Sequence, residues 1–166
     1  DAHGSDADAA TKREAQSEAL DLVEWGRRGV DEANRYLYDP KANYDELVIK
    51  VEVGQQKIEE ALKKAPDLHT AHYLLGRCWD LRGDDEKAEA YWRRAIELRP
   101  EFGPAHYELG RLLMMRSHFL TLAPSDREQR SANQLEARRL ADQAGKELEA
   151  AGRGAGFDDQ VQRAVA

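Results

Sequence analysis

Hydrophobic positions recur along most of the chain at three- and four-residue steps, the period of one helix face. The clearest run covers residues 69–82, where Leu75, Gly76 and Trp79 share a face. Gly83 and Asp84 break it. Gly83 suits the left-handed residue after a helix end, and Asp84 or Asp85 can cap the helix that follows. That second helix carries Ala88, Trp92, Ala95 and Leu98 on one stripe and stops at Pro100. Small residues (Gly76, Ala88, Ala95) alternating with large ones (Trp79, Trp92) are what close antiparallel packing of two helices requires. A glycine inside a helix costs up to about 1 kcal/mol against alanine, so Gly76 and Gly110 mark the close approach of a neighbouring helix.

The pattern repeats. Residues 71–77 read Ala-His-Tyr-Leu-Leu-Gly-Arg and residues 105–111 read Ala-His-Tyr-Glu-Leu-Gly-Arg, identical at six of seven positions at an offset of 34. The same offset carries Pro66 onto Pro100, Ala61 onto Ala95 and Ile58 onto Trp92. A helix–turn–helix unit of this period cannot bury its apolar face alone and must stack on neighbours. Residues 103–116 repeat its first helix, with Leu109, Gly110 and Leu113. The second helix does not follow at once: Ser117 to Ala123 continue with Phe119, Leu120 and Leu122 before Pro124. Ser125-Asp-Arg-Glu128 then reads as a capping box, opening a helix that ends near Gly152 and carries Ala137, Ala141 and Ala144 as its small-residue stripe. Upstream, Leu47, Val51, Ile58 and Ala61 keep helical register over residues 43–65; Val48 to Val53 alternate as a strand would, but the register favours helix. A longer helix over 11–38 supplies Leu22, Trp25, Gly26, Ala33, Tyr36 and Leu37 and ends at Asp39-Pro40. Residues 1–10 and the stretch 152–156 read as flexible. Residues 157–166 read as a short helix presenting Phe157, Val161 and Val165, either a cap over the last unit or a docking segment.

Leu75-Gly76, Trp79, Gly83, Ala88, Trp92, Ala95 and Pro100 fall on the signature positions of the tetratricopeptide repeat, and residues 69–102 resemble one unit of that family. The resemblance implies an all-α fold, a short α-solenoid of about three stacked antiparallel helix pairs plus a C-terminal tail, in a single domain. Residues 11–66 would form a divergent first pair, 69–102 the clear repeat, 103–151 an expanded third repeat, and 152–166 a linker and tail. It also implies a concave groove, lined by the first helices, that holds an extended peptide or a partner helix. Tyr73, Arg77 and Asp80 share a face about 100° round from Leu75 and Trp79, and Tyr107, Arg111 and Met114 repeat it. Stacking would set Tyr over Tyr and Arg over Arg. Such a ladder favours an acidic segment, through charge-assisted bonds and ring contacts. The alternative is a solvated face in which each arginine pairs with a nearby acid, as Arg77 with Asp80.

Composition narrows the functional classes. Of 166 residues, 34% are charged and only 7% aromatic, which suits a thin packing of helices better than a deep interior. The net charge of -7 argues against nucleic acid and anionic membrane as partners. No apolar run approaches the roughly 20 residues that a membrane span needs. Cys78 stands alone, so neither an internal disulfide nor a cysteine-rich metal site is available, and a buried inert thiol is expected. The chain has no Gly-x-Ser-x-Gly, His-Glu-x-x-His, Walker or Cys-x-x-Cys motif, so no enzyme activity and no cofactor are expected.

Histidines are the remaining candidates for chemistry. His69 and His72 lie one turn apart and His72 aligns with His106, so stacking would gather imidazoles; a metal would still need a further ligand, and repeated packing residues are the preferred reading. Asp1-Ala2-His3 has the form of an amino-terminal Cu(II)/Ni(II) motif, which requires Asp1 to be the true terminus; incidental occurrence is preferred for His3. Asp1 is not an initiator methionine and no signal peptide remains, which fits a processed mature form and an excised segment alike. One cysteine fits the cytosol, while the Ala/Asp-rich leader fits an exported chain after signal removal, periplasmic or extracellular; export is preferred. The expected function is a non-catalytic scaffold or adaptor that binds a peptide or protein segment. The alternative is an assembly subunit that self-associates end to end through the first helix, the 117–135 insertion or the tail. Polar terminal helices would favour the adaptor and apolar ones the assembly.

Overall fold

A computed structural model describes residues 2–36, 39, 41, 43–124 and 126–154. They form six helices: α1 (Ala2–Tyr36), α2 (Tyr44–Lys64), α3 (His69–Leu81), α4 (Asp85–Leu98), α5 (Gly103–Leu122) and α6 (Arg127–Arg153). No strand occurs among the described residues, and the fold is all-α; Val48 to Val53 lie inside α2. The chain divides into two compact units, Asp1–Arg94 and Ala95–Ala166.

In the first unit α1 and α2 lie antiparallel around Ala19, Val23, Val30 and Ala33 on one side and Leu47, Val51, Ile58 and Ala61 on the other. Glycines set their separation. A methyl on Gly26 would lie 2.5 Å from Ile58 Cγ1 and 2.9 Å from the Gly54 carbonyl, so the two backbones nearly touch there. The apolar stripe differs from the one expected at Trp25, which is 48% exposed. Helical geometry turns it about 100° from Gly26, to the edge of the pair, where the Lys57 ammonium stands 5.9 Å from the ring centroid. Leu37 lies outside the described residues. Helix α1 also begins at Ala2, through the segment expected to be flexible. Ala2, Ala7, Ala9 and Ala10 are strong helix formers, and Gly4 alone opposes them strongly.

Helix α3 completes the core of this unit with Ala71, Leu74, Leu75 and Cys78, all buried. Arg82 Nη1, just past its end, donates to Gln55 Oε1 on α2 at 3.1 Å. Gly83 takes φ +76°, the left-handed value that the turn requires. Asp84 then caps α4: its Oδ1 accepts from the Lys87 amide at 3.1 Å and its Oδ2 pairs with Lys87 Nζ at 2.8 Å. The Lys87 side chain, and then its amide, hold the Asp84 carboxyl below the usual carboxylate range. Lys87 Nζ also stands 3.9 Å from the Trp79 ring centroid, with the Arg82 guanidinium at 4.9 Å. Trp79 is therefore half-buried under two cations at the turn rather than part of the inner stripe. Trp92 is the fully buried tryptophan, laid against Gly76.

In the second unit α5 and α6 lie antiparallel around Leu109, Leu113, Leu140 and Ala144. A methyl on Gly110 would lie 2.8 Å from Leu148 Cγ. Residues 117–122, read as an insertion, simply prolong α5, since no glycine or proline interrupts Ser117 to Leu122. Ser117 Oγ donates to the Ala137 carbonyl at 2.7 Å and ties this extension to α6. The cap of α6 is Asp126, whose Oδ1 accepts from the Gln129 amide at 2.8 Å; Ser125, the expected cap, lies outside the described residues. Its inward stripe is Ala137, Leu140 and Ala144, with Ala141 only half-buried. The helix continues through Gly152 to Arg153, into the stretch expected to be a linker; Gly152 has no neighbour within 4 Å to demand a break. The tail from residue 155 lies outside the described residues.

Glycine substitutions separate the two kinds of helical glycine. Gly76→Ala places a methyl 2.5 Å from Cδ1 of a rigid, buried indole, and is expected to cost about 1–3 kcal/mol. Gly145→Ala meets nothing within 4 Å and is expected to stabilise by up to about 1 kcal/mol. Urea denaturation midpoints of the two variants should move in opposite directions.

Candidate protein-binding surface

The residues expected to line a groove fall on α3 and α5. On α3, Tyr73, Arg77 and Asp80 are half-buried; Tyr73 packs against the unit's core, and Arg77 Nη1 donates to its hydroxyl at 3.4 Å. On α5, Tyr107 and Met114 are 45% and 44% exposed. Arg111 lies between them, with Nε donating to Glu108 Oε2 at 2.9 Å. The pairing of an arginine with an acid on its own helix, the alternative to a free basic ladder, therefore applies at Arg111.

Tyr107, Arg111 and Met114 line one recess of about 560 Å³, together with Met115, Ser117, His118 and Thr121 of α5 and Leu148 of α6. The cause is the distribution of residues around α5. Gly103, Gly110 and Leu113 draw α6 onto one side, while the side bearing Tyr107, Arg111, Met114, His118 and Thr121 remains open. His118 and Thr121 were missed because residues beyond 116 read as an insertion rather than as the same helix. Leu148 has no sequence signal, because its place depends on how α6 folds back.

The aligned histidines share a structural task. His72 Nε2 donates to the Pro66 carbonyl at 2.9 Å, and His106 Nε2 donates to the Pro100 carbonyl at 2.8 Å. Each fastens the start of a first helix to the proline just before it. His106 Nδ1 also meets Glu147 Oε2 of α6 at 2.6 Å, in a largely buried pair. His69 is the first residue of α3, and the His3 side chain lies outside the described residues. Among the described residues no group of three or more His, Cys, Asp and Glu side chains is placed to hold a metal ion. Burial pushes the Cys78 thiol up to about 12, far from a reactive thiolate at neutral pH. No described helix is long and apolar enough to cross a membrane.

Helix pairs closed by a glycine against a large side chain, the last two entered through a bond from a histidine to a proline carbonyl, define a helical-repeat protein. A family model described as tetratricopeptide repeat matches residues 69–102, the segment from α3 to the turn after α4. The chain thus carries a tetratricopeptide repeat, a module that generally mediates protein–protein interaction and is typically non-catalytic. No curated protein matches the chain.

Two measurements check these local assignments. Cys78 should resist alkylation at pH 8 in the folded chain and react at the rate at which the chain unfolds. His106→Ala removes two hydrogen bonds and leaves the Glu147 carboxylate without its partner, at an expected cost of about 2–4 kcal/mol. His72→Ala removes one such bond, at about 1 kcal/mol, so urea titration should rank the two in that order.

Proposed function

We propose that the chain is a non-catalytic scaffold or adaptor that binds a peptide or protein segment along its first-helix faces: Tyr73, Arg77 and Asp80 on α3, and Tyr107, Arg111 and Met114 on α5. The observation that carries this reading is the recess on α5, where three of those six residues come together with exposed apolar surface. Its lining contains one formally charged side chain, Arg111, and no carboxylate. That chemistry favours an acidic segment as the occupant.

End-to-end self-assembly is disfavoured by what α1 presents. Gly26 lies against Ile58 as Gly76 lies against Trp92, so α1 and α3 can be aligned through these glycines. Where α3 buries Ala71, Leu74 and Cys78, α1 carries Asp21, Glu24 and Arg28. Glu24 and Arg28 are already tied into a surface network with Arg27 and Asp31. A face of this kind does not accept another copy as α3 accepts its neighbours. The outward face of α6 carries Arg138, Asp142, Lys146 and Glu149, with Leu135 as its exposed apolar residue.

Light scattering over a concentration series should give a mass near 18.8 kDa throughout. Growth of the mass without a plateau would favour the assembly reading instead.

A further inference from the structure

We propose that the α5 recess receives a single amphipathic α-helix, rather than an extended peptide, with an acidic residue on that helix opposite Arg111. The inference rests on the binding function proposed above and specifies its partner. Tyr107, Arg111, Met114, His118 and Thr121 follow one another at steps of four, three, four and three residues. That is the spacing of a coiled-coil seam, in which a second helix laid alongside meets one side chain at each turn. The seam runs 14 residues, about 21 Å at the helical rise. An extended segment repeats its side chains on one face every ~6.7 Å, out of step with the ~5.4 Å turns of α5.

The repeat itself does not supply this seam. Moving the five positions back by 34 residues gives Tyr73, Arg77, Asp80, Asp84 and Lys87, but α3 ends at Leu81, so only three of them share its helix. The prolongation of α5 through Leu122, tied down by Ser117, makes the surface long enough for a helix. Its chemistry fits the same partner. Met114, Met115 and Leu148 give an adaptable apolar floor, and Arg111 places a cation two turns from the start of α5. Glu108 engages Arg111 through Nε from beside the recess and is not among the lining residues. A partner helix with aliphatic residues at its own four–three positions and Asp or Glu flanking them complements this lining.

The test uses two displayed peptide libraries, selected on the full chain and on full-chain Met114→Glu, Arg111→Ala and Val161→Glu variants. One library randomises the four–three positions of an alanine-rich helical template. The other randomises a segment bracketed and interrupted by prolines. Met114 is an exposed position, and circular dichroism checks that its variant folds. The expected result is binders from the helical library, enriched in Asp or Glu beside aliphatic residues, with affinity about tenfold or more lower for Met114→Glu and up to about fivefold lower for Arg111→Ala. Binders only from the proline library, still lost on Met114→Glu, would overturn the helix while leaving the binding surface intact. Binders indifferent to Met114→Glu, or none from either library on any chain, would overturn both. Helical binders that appear only on the Val161→Glu chain would show that residues 155–166 of this chain hold the recess, and would overturn the foreign partner.

Discussion

In each helix pair a glycine on the first helix lies against a large side chain on the second: Gly26 against Ile58, Gly76 against Trp92, Gly110 against Leu148. This contact fixes how closely the two helices approach, and most other features follow from it. A methyl at any of the three would stand less than 3 Å from its neighbour. Each glycine forgoes helix propensity worth up to about 1 kcal/mol for close packing over a long interface. The buried stripes on either side, Val23 and Val30 beside Gly26 or Leu109 and Leu113 beside Gly110, are placed by that approach.

Because the contact is local, it leaves the far ends of the helices unconstrained. Sixteen residues separate glycine from partner in the middle pair, thirty-two in the first and thirty-eight in the last. The extra residues go into longer helices and longer connections rather than into a different packing. In the first pair they give α1 a charged surface stitched by Arg27, Glu24 and Asp31. In the last they give α5 five more residues beyond Ser117, and with them the open side that forms the recess. The recurring contact builds the repeat; the departures from it build the surface.

This division also explains what could be read from the sequence. The middle pair was legible almost to the residue, because Gly76, Gly83, Asp84, Ala88, Trp92 and Pro100 each perform a short-range task. Trp79 was misplaced because periodicity identifies a face but not whether Lys87 and Arg82 will stand over the ring. The flexible reading of residues 1–10 left alanine's helix preference out of account. Three of the eight residues lining the recess were visible as Tyr107, Arg111 and Met114; Leu148 and the His106–Glu147 pair were not, since both depend on a helix returning from about 40 residues away.

The electrostatics of the chain set how such a surface can discriminate among partners. Its arginines are commonly held by acids three or four residues away on the same helix, as Arg27 is by Glu24, Arg93 by Glu89 and Arg139 by Glu136. Arg111 follows the same rule with Glu108. A partner carboxylate at Arg111 therefore joins or replaces an existing ion pair, and exposed pairs of this kind are worth about 0–1 kcal/mol. The gain in affinity from charge is correspondingly small. The larger gain comes from covering Tyr107, Met114 and Leu148, whereas an apolar partner without the acid loses little affinity and a basic one meets Arg111 directly. Charge at this recess acts mainly by rejecting the wrong sign, and apolar contact supplies the holding energy.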